Sequence, residues 1–230
     1  HLIAPGVGNL ACGWIGKGRL PEPEELVETL SGLFQPKPLA NRHVLISAGP
    51  TVERIDPVRY LTNDSSGKMG IALAEAARDA GATVTLVHGP VREALPNGIT
   101  TKAVESGDEM LAAMLADYDK QDLVIMAAAV ADYRPTVRYD RKQKKIDGPL
   151  RIELEETTDI LRTLGERKTN QILVGFAAET ENLEKHAQQK LIRKQADFIV
   201  ANDVSRTDIG FSSDENQVTV YGNNHPRSEE

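Results

Sequence analysis

From Arg42 onward, short apolar segments alternate with longer amphipathic segments, and this alternation limits the possible folds more than any other feature of the sequence. Strands are predicted at residues 43–47, 83–87, 99–104, 123–129, 172–174 and 198–201. Helices are predicted between them at residues 70–80, 108–118 and 181–194. A parallel connection between strands requires a long crossover, which a helix usually provides. The sequence therefore predicts an α/β fold with a mostly parallel sheet and helices on both faces.

Such a sheet also predicts where a ligand binds. Ligands of open α/β sheets lie beyond the carboxyl ends of the strands. We therefore expect binding residues in the segments that follow Ser47, Ala129, Gly175 and Ala201.

The residues before Arg42 follow a different pattern. The first twenty are rich in glycine and show neither a helical nor a strand period. A helix is then predicted, because apolar residues recur at helical spacing at Leu26, Val27, Leu30 and Leu33. Two prolines within residues 35–38 predict a linker. We therefore divide the chain into residues 1–20, a helix and linker at 21–40, and a main domain at 41–230 that we expect to be truncated at its C-terminus.

Charge and cysteine content argue against several classes of function. The 230-residue chain has a formal net charge of −7, which argues against a broad surface for nucleic acid or anionic membrane. The single cysteine excludes an internal disulfide, so a cytoplasmic location is expected. The sequence shows neither a signal-peptide pattern nor an apolar run long enough to cross a bilayer.

The segment NDSSGKMG, residues 63–70, leads directly into a predicted helix. Small residues at a helix entrance leave backbone N–H groups free to bind phosphate oxygens, although the segment departs from the Walker A pattern. The alternative is an ordinary helix cap by Ser65 or Ser66. Arg59 and Asn63 lie just upstream and favour the anion site.

Three further segments have both a structural and a functional interpretation. Small residues precede Asp132, which fits either close packing with a helix cap or a ligand-binding turn. The run KQKK at 142–145 is either a solvated surface or a clamp for phosphoryl charge. Phe176 either stacks on a base or fills the core. Lys190 and Lys194 lie on one face of a predicted helix, where they either contact a triphosphate or form a solvated surface.

Other chemistries have weaker support. The pattern GxGxxA at residues 6–11 follows no predicted strand, and the strand at 83–87 is not followed by the carboxylate that a dinucleotide ribose requires. Neither a zinc-ligand spacing nor a Ser-His-Asp signature is present.

Five runs together resemble phosphopantothenoylcysteine synthetase, the C-terminal half of the bacterial bifunctional decarboxylase/synthetase. They are SAGPTVERIDPVRYLTNDSSGKMG, AAAVADYRP followed by KQKK, VGFAAET, QKLIRKQADFIVANDVS and GFSSDEN, in the order that the family shows. The resemblance implies a Rossmann-like three-layer α/β fold. The opening LACGWIGKGRLPEP resembles the tail of the decarboxylase domain, where Cys12 would lie on a substrate clamp; FMN would bind only in that absent domain.

The resemblance implies a ligase reaction in two steps. The carboxylate of 4'-phosphopantothenate attacks the α-phosphate of CTP, which gives an acyl-cytidylate and pyrophosphate. The amine of L-cysteine then attacks this mixed anhydride and releases CMP. Mg²⁺ would bridge the phosphates, and a homodimer would share the active site.

The resemblance also implies roles for individual residues. Arg59 would reach the substrate phosphate of a neighbouring subunit, and Asn63 would bind phosphopantothenate and assist turnover of the acyl-cytidylate. Lys142 would stabilise the transfer to phosphorus, and Asp159 is the expected metal-linked acid. A phosphate loop would comprise Gly49, Ser65, Gly67 and Gly70. Ala128, Ala129 and Asp132 would line both pantothenate and nucleotide. The remaining nucleotide contacts would be Met126, Ala127, Thr158, Asp159, Ile160, Leu161, Phe176, Lys190 and Lys194, with Lys142 from the loop.

The sequence departs from the family pattern at two places, and two other functions stay open. Thr157-Thr158 replaces a frequent Asn-Pro, and Met126 replaces a small residue. A nicotinamide- or flavin-dependent reductase is one alternative. A non-catalytic assembly module, tethered through residues 21–40, is the other.

Overall fold

The computed structural model describes residues 5–9, 13–23, 26–27, 30, 32, 36–144, 148–179, 183–203, 217–222 and 228–229. The chain forms two compact units, His1–Pro38 and Leu39–Glu230. The predicted identities of residues 1–20 and 21–40, as the tail of another domain and a linker, stay predictions.

The first unit contains a hairpin that the sequence did not predict. Strands β1 (Gly6–Asn9) and β2 (Ile15–Arg19) pair antiparallel, so the expectation of no strand in this region was wrong. The GxGxxA pattern begins on β1. The described positions Pro23, Leu26, Val27, Leu30 and Gly32 are helical, as predicted. Cys12 lies outside the described residues.

The second unit is organised around an eight-stranded sheet of order β14-β13-β12-β11-β8-β3-β6-β7. Its strands are β3 (His43–Ala48), β6 (Thr83–His88), β7 (Thr100–Ala103), β8 (Leu123–Met126), β11 (Ile172–Glu179), β12 (Phe198–Asp203), β13 (Val218–Gly222) and β14 (Ser228–Glu229). The pairs from β7 through β12 are all parallel, and β13 and β14 add an antiparallel edge.

The strand order reverses direction between β3 and β8. From β3 the chain moves outward to β6 and β7, returns to β8 on the other side, and continues to β11 and β12. This is the doubly wound order of Rossmann-like folds, in which ligands bind near the reversal. The predicted fold class is therefore confirmed.

Among the described residues of this unit, four helices connect or cover the strands: α1 (Lys68–Asp79), α2 (Gly107–Tyr118), α3 (Ile160–Arg167) and α4 (Leu183–Lys194). Ser106 caps α2 by accepting a hydrogen bond from the amide of Glu109, and Asp159 caps α3 in the same way. Within the described ranges, we find no helix with the length and apolar character that crossing a membrane requires.

The helices cover both faces of the sheet. Ile71 and Ala74 of α1 pack in one buried cluster with Val44 and Ile46 of β3. Leu45, between those two strand residues, belongs to a second cluster that includes buried residues of α2, α3 and α4. Successive side chains of a strand point to opposite faces, so these two clusters lie on opposite faces of the sheet, between it and the helices that form the outer layers of the predicted three-layer arrangement.

Two small hairpins lie outside the main sheet and were not predicted. Strands β4 (Val52–Arg54) and β5 (Tyr60–Thr62) pair antiparallel, as do β9 (Tyr133–Pro135) and β10 (Leu154–Glu156). Each strand has only three residues, too few for a clear alternation of polar and apolar side chains.

Several predicted boundaries were also wrong. Strand β8 ends at Met126, before the small residues that were assigned to it. Strand β11 continues to Glu179, so the glycine-containing segment after Val174 is strand and not turn. Gly67, in a left-handed conformation, occupies the N-cap position of α1, and Ser66 just before it accepts from the amide of Lys68 at 3.4 Å.

Gly70 provides a test of the contact between α1 and the sheet. A Cβ atom at this position would lie 2.5 Å from the Cβ of Ala48 and 3.0 Å from its Cα. We expect Gly70→Ala to destabilise the protein by about 1–3 kcal/mol, because the helix must move away from β3. Gly107→Ala is the matched control, since its new Cβ would have no neighbour closer than 3.4 Å. Equal midpoints of urea unfolding for the two variants would contradict this close packing.

Candidate active site

A cavity of about 520 Å³ opens at the carboxyl edge of the sheet, on the side of β8 and β11. Met126 is the last residue of β8, and Phe176 lies on β11. The other described lining residues come from the segment after β8, from β10 and the start of α3, and from the end of α4. They are Ala128, Val130, Asp132, Tyr133, Glu156, Thr157, Thr158, Asp159, Ile160, Leu161, Arg162, Lys190, Arg193 and Lys194.

Four cationic side chains, Arg162, Lys190, Arg193 and Lys194, line this cavity together with the three carboxylates of Asp132, Glu156 and Asp159. They contrast with the net charge of −7 of the whole chain. Lys190 donates from Nζ to the carbonyl oxygen of Phe176 at 2.6 Å, which joins α4 to β11. Three of the cations lie together at the end of α4, and such a local group on an acidic protein favours a small anionic ligand over an extended polyanion.

Lys194 and Asp159 form an ion pair at the wall of the cavity. The Lys194 side chain is buried, and this burial lowers its pKa, because the charged ammonium loses solvation. Lys194 Nζ donates to Oδ2 of Asp159, while Oδ1 accepts from the amide of Arg162 at 3.0 Å. Asp159 therefore holds α4 to the start of α3.

The predicted role of Asp159 as a metal-linked acid is not tested. Carboxylate oxygen suits Mg²⁺, which often uses one or two protein carboxylates together with substrate phosphates. Over the described residues, no group of three or more His, Cys, Asp or Glu side chains is placed to hold a metal ion. The described residues of the cavity therefore fit a Mg²⁺ ion only if the phosphates of a bound nucleotide supply most of its ligands.

Two buried hydroxyl residues hold the small-residue loop 127–132 over the sheet. Ser47 Oγ accepts from the amide of Ala128 at 3.1 Å, and Thr51 Oγ1 accepts from the amide of Ala131 at 2.9 Å. Both hydroxyl residues are fully buried. Sequence reasoning missed both residues. A hydroxyl residue at the end of an apolar strand could have indicated such a contact, because a buried hydroxyl requires a hydrogen-bond partner.

Asn63 is joined to the same loop. Its Nδ2 donates to the carbonyl oxygen of Val130 at 3.0 Å, and Val130 lines the cavity. This bond directs the amide nitrogen at the protein and leaves the amide oxygen as the acceptor. Asn63 therefore lies beside the cavity without lining it.

Asp56 and Arg59 form a compact charged network next to the hairpin β4–β5. Arg59 donates to Oδ2 of Asp56 from Nε at 3.0 Å and from Nη2 at 2.5 Å. The Arg59 guanidinium holds the pKa of the Asp56 carboxyl well below its ordinary range. A carboxyl whose folded-state pKa is lowered stabilises the fold at neutral pH and loses that contribution only in strong acid. Sequence reasoning did not identify Asp56.

The predicted phosphate loop is separate from the described lining of the cavity. A Cβ atom on Gly67 would lie 3.3 Å from the Cα of Gly49 and 2.6 Å from Cγ1 of Val91. Gly49 and Gly67 both have positive φ, at 75° and 83°, which favours glycine. The glycines here, like Gly70, are thus required by packing, and a role for them and Ser65 in phosphate binding stays a prediction.

The structure brings together most residues that were expected at the nucleotide. The expected residues that line the cavity are Met126, Ala128, Asp132, Thr158, Asp159, Ile160, Leu161, Phe176, Lys190 and Lys194. Ala127 and Ala129 lie in the same loop but are not lining residues, and Lys142 is exposed in another loop. Val130, Tyr133, Glu156, Thr157, Arg162 and Arg193 line the cavity and were not predicted as site residues.

A doubly wound sheet with a basic cavity at its carboxyl edge defines a Rossmann-like domain suited to a phosphorylated ligand. The family model described as the DNA/pantothenate metabolism flavoprotein C-terminal domain matches residues 39–230, and the chain belongs to this family. The resemblance stated from the motifs is confirmed.

Known proteins similar to the chain agree with this family. The coenzyme A biosynthesis bifunctional protein CoaBC of Bacillus subtilis is 51% identical over 224 residues, which cover 96% of this chain and 55% of that protein. A cysteine/cysteine sulfinic acid decarboxylase from an unknown prokaryotic organism is 46% identical over 227 residues, or 96% of this chain and 63% of that protein. The chain thus spans little more than half the length of these relatives.

A solved structure of the C-terminal domain of CoaBC is 48% identical, with a TM-score of 0.71 over 84% of this chain and 87% of that one. A Cab2 mutant in complex with phosphopantothenate-cysteine shares the fold at 18% identity and a TM-score of 0.67, over 91% of this chain and 88% of that one.

Proposed function

We propose that this chain is the ligase portion of a coenzyme A biosynthesis enzyme and joins L-cysteine to 4'-phosphopantothenate with CTP. The carboxylate of phosphopantothenate attacks the α-phosphate of CTP, forming an acyl-cytidylate and releasing pyrophosphate. The cysteine amine then attacks the acyl carbon, and CMP leaves. Membership of the family and the identity of 51% with CoaBC of Bacillus subtilis support this assignment.

One observation carries the proposal. Residues expected at the nucleotide from separate parts of the chain line a single cavity, and three of its four cationic side chains lie together at the end of α4. A carboxylate that attacks a triphosphate must overcome repulsion between like charges, so cations and N–H donors must surround the phosphates. Lys190, Arg193 and Lys194 supply such charge from α4.

Mg²⁺ would supply further charge neutralisation of the phosphates when bound, with Asp159 as its candidate protein ligand. Asn63 would orient the phosphopantothenate next to the loop that carries Ala128 and Ala129.

We further propose a homodimer with a shared site and a fused, FMN-dependent decarboxylase domain in the full-length protein. One relative is named a decarboxylase, and this chain covers 63% of that protein.

The assay that tests this proposal measures pyrophosphate release with CTP, ATP, GTP and UTP in turn. We expect release only when 4'-phosphopantothenate is present, with CTP strongly preferred, and CMP release only after L-cysteine is added. Equal rates with all four nucleotides would remove the CTP assignment. Absence of release with any nucleotide would instead favour an assembly module or a reductase, and NAD(P)H binding would separate those two.

Asn63→Asp is expected to slow the second step more than the first. An aspartate loses the Nδ2 donor to Val130 and places a carboxylate oxygen against that carbonyl, so the side chain must turn away. Acyl-cytidylate should then accumulate, as mass spectrometry of acid-quenched reactions would detect. The control is Asp64→Asn, a charge change at the adjacent exposed position. If no intermediate is trapped while turnover falls, Asn63 does not act on the second step.

A further inference from the structure

The loop that carries Lys142 is held against the β4–β5 hairpin at two described positions. We call residues 136–144 the lysine loop. The amide of Tyr139 donates to the carbonyl oxygen of Ile55 at 2.9 Å. Four residues further on, Gln143 is bound through both of its backbone polar groups.

Both backbone contacts of Gln143 come from the Asp56–Arg59 pair, while its side-chain amide donates to the carbonyl oxygen of Arg141 at 3.2 Å. Its amide donates to Oδ2 of Asp56 at 3.1 Å, and its carbonyl oxygen accepts from Arg59 Nη2 at 3.0 Å. Asp56 is only 1% exposed, although it lies near a solvated loop. A buried carboxylate is costly unless its oxygens are fully bonded, so this geometry is strongly favoured.

The two oxygens of Asp56 serve different parts of the structure. Oδ1 accepts from the amides of Val58 and Arg59 at 2.8 and 2.9 Å, which closes the turn between β4 and β5. Oδ2 accepts from Arg59 and from Gln143, which fixes the lysine loop. A carboxylate that only closed the turn would need only its first oxygen.

We propose that Asp56 is a positioning residue that sets the place of Lys142 for the transfer to phosphorus. This inference rests on the proposed ligase function. Lys142 directly precedes Gln143, so fixing both backbone groups of Gln143 restricts where the Lys142 side chain starts. Lys142 itself is exposed, so its own side chain is placed chiefly by this backbone. Displacement of a catalytic group by about 1 Å is enough to lower a rate by roughly two orders of magnitude.

The test is a double-mutant cycle of Asp56→Asn and Lys142→Gln in the pyrophosphate-release assay. An asparagine has nearly the same shape but only one acceptor oxygen and no charge for Arg59. We expect Asp56→Asn alone to lower kcat by about 10- to 100-fold with little change in KM for CTP. In the Lys142→Gln background the same change should lower kcat by less than about 2-fold, because the group that it positions is already absent.

Hydrogen exchange provides a readout that does not depend on activity. The amide of Gln143 should be protected in the wild type and should exchange faster in Asp56→Asn. Asp140→Asn, an exposed acid in the same loop, is the matched control and should alter neither kcat nor this exchange. If Asp56→Asn fails to fold, the cycle is repeated with Asp56→Glu, whose carboxylate is displaced by one methylene.

Two outcomes would overturn the positioning role while the ligase function stands. One is an active wild type in which the effects of Asp56→Asn and Lys142→Gln simply multiply. The other is Gln143 exchange that is unchanged by the loss of the carboxylate. A wild type that releases no pyrophosphate under any condition would overturn both the ligase function and this inference.

Discussion

Replacement of Lys142 by glutamine is expected to lower the turnover number by about two to three orders of magnitude. When the substrate carboxylate attacks the α-phosphate, negative charge develops on the phosphoryl oxygens, and a positioned ammonium stabilises that charge more than it stabilises the ground state. Glutamine keeps much of the length of the side chain but removes the charge. KM for CTP should change little, since Lys142 is not among the described residues that line the cavity.

Lys144→Gln is the control for this prediction. Lys144 lies two positions along the same loop, is also exposed, and carries the same charge. If the loop acts only as a cationic surface, both variants should lose similar activity, and the loss should weaken with added salt. A rate for Lys142→Gln close to that of the wild type would assign Lys142 to the solvated surface.

Replacement of Lys194 by methionine is expected to lower kcat/KM for CTP by about 10- to 100-fold. A hydrogen bond between a charged donor and a phosphate contributes roughly 1.5–3 kcal/mol, and about 1.4 kcal/mol corresponds to a factor of ten. Lys194 lies at the cavity wall and its side chain is mostly buried, so solvent screens its charge less than that of an exposed lysine. Its loss also leaves the carboxylate of Asp159 without its lysine partner, and this uncompensated negative charge repels the phosphates.

The matched control is Lys185→Met, at an exposed lysine on the same helix. This variant should retain the wild-type kcat/KM. Thermal unfolding separates binding from folding, because Lys194→Met also breaks the contact between α3 and α4. Full activity of a folded Lys194→Met protein would show that this end of the cavity does not hold the triphosphate.

Most of the fold could be predicted because its signals are local. The apolar run of β3, for example, is followed by a turn and then by the helical spacing of α1. Parallel strands joined by helices leave few possible topologies, so alternation alone indicated a mostly parallel sheet with helices on both faces. The hairpins β4–β5 and β9–β10 could not be predicted, because three-residue strands have too little periodicity to distinguish them from loops.

The candidate site was predictable in its residues but not in its arrangement. The motifs named Lys190, Lys194 and Asp159 separately. They did not indicate that Lys194 and Asp159 pair across two helices, or that Arg193 lines the same wall. Sequence reasoning missed Ser47 altogether, although its hydroxyl accepts from the amide of Ala128 and so supports the loop after β8.

The amino-acid sequence by itself determined the α/β class, the alternation of the main strands and helices, and the family, since these depend on periodicity and on motifs that are continuous in the chain. Only the tertiary structure decided that Asp56 joins Arg59 to the backbone of Gln143. It also decided that Gly70 is required by contact with Ala48. Contacts between residues far apart in the chain depend on how the elements pack, and local composition carries no record of that packing.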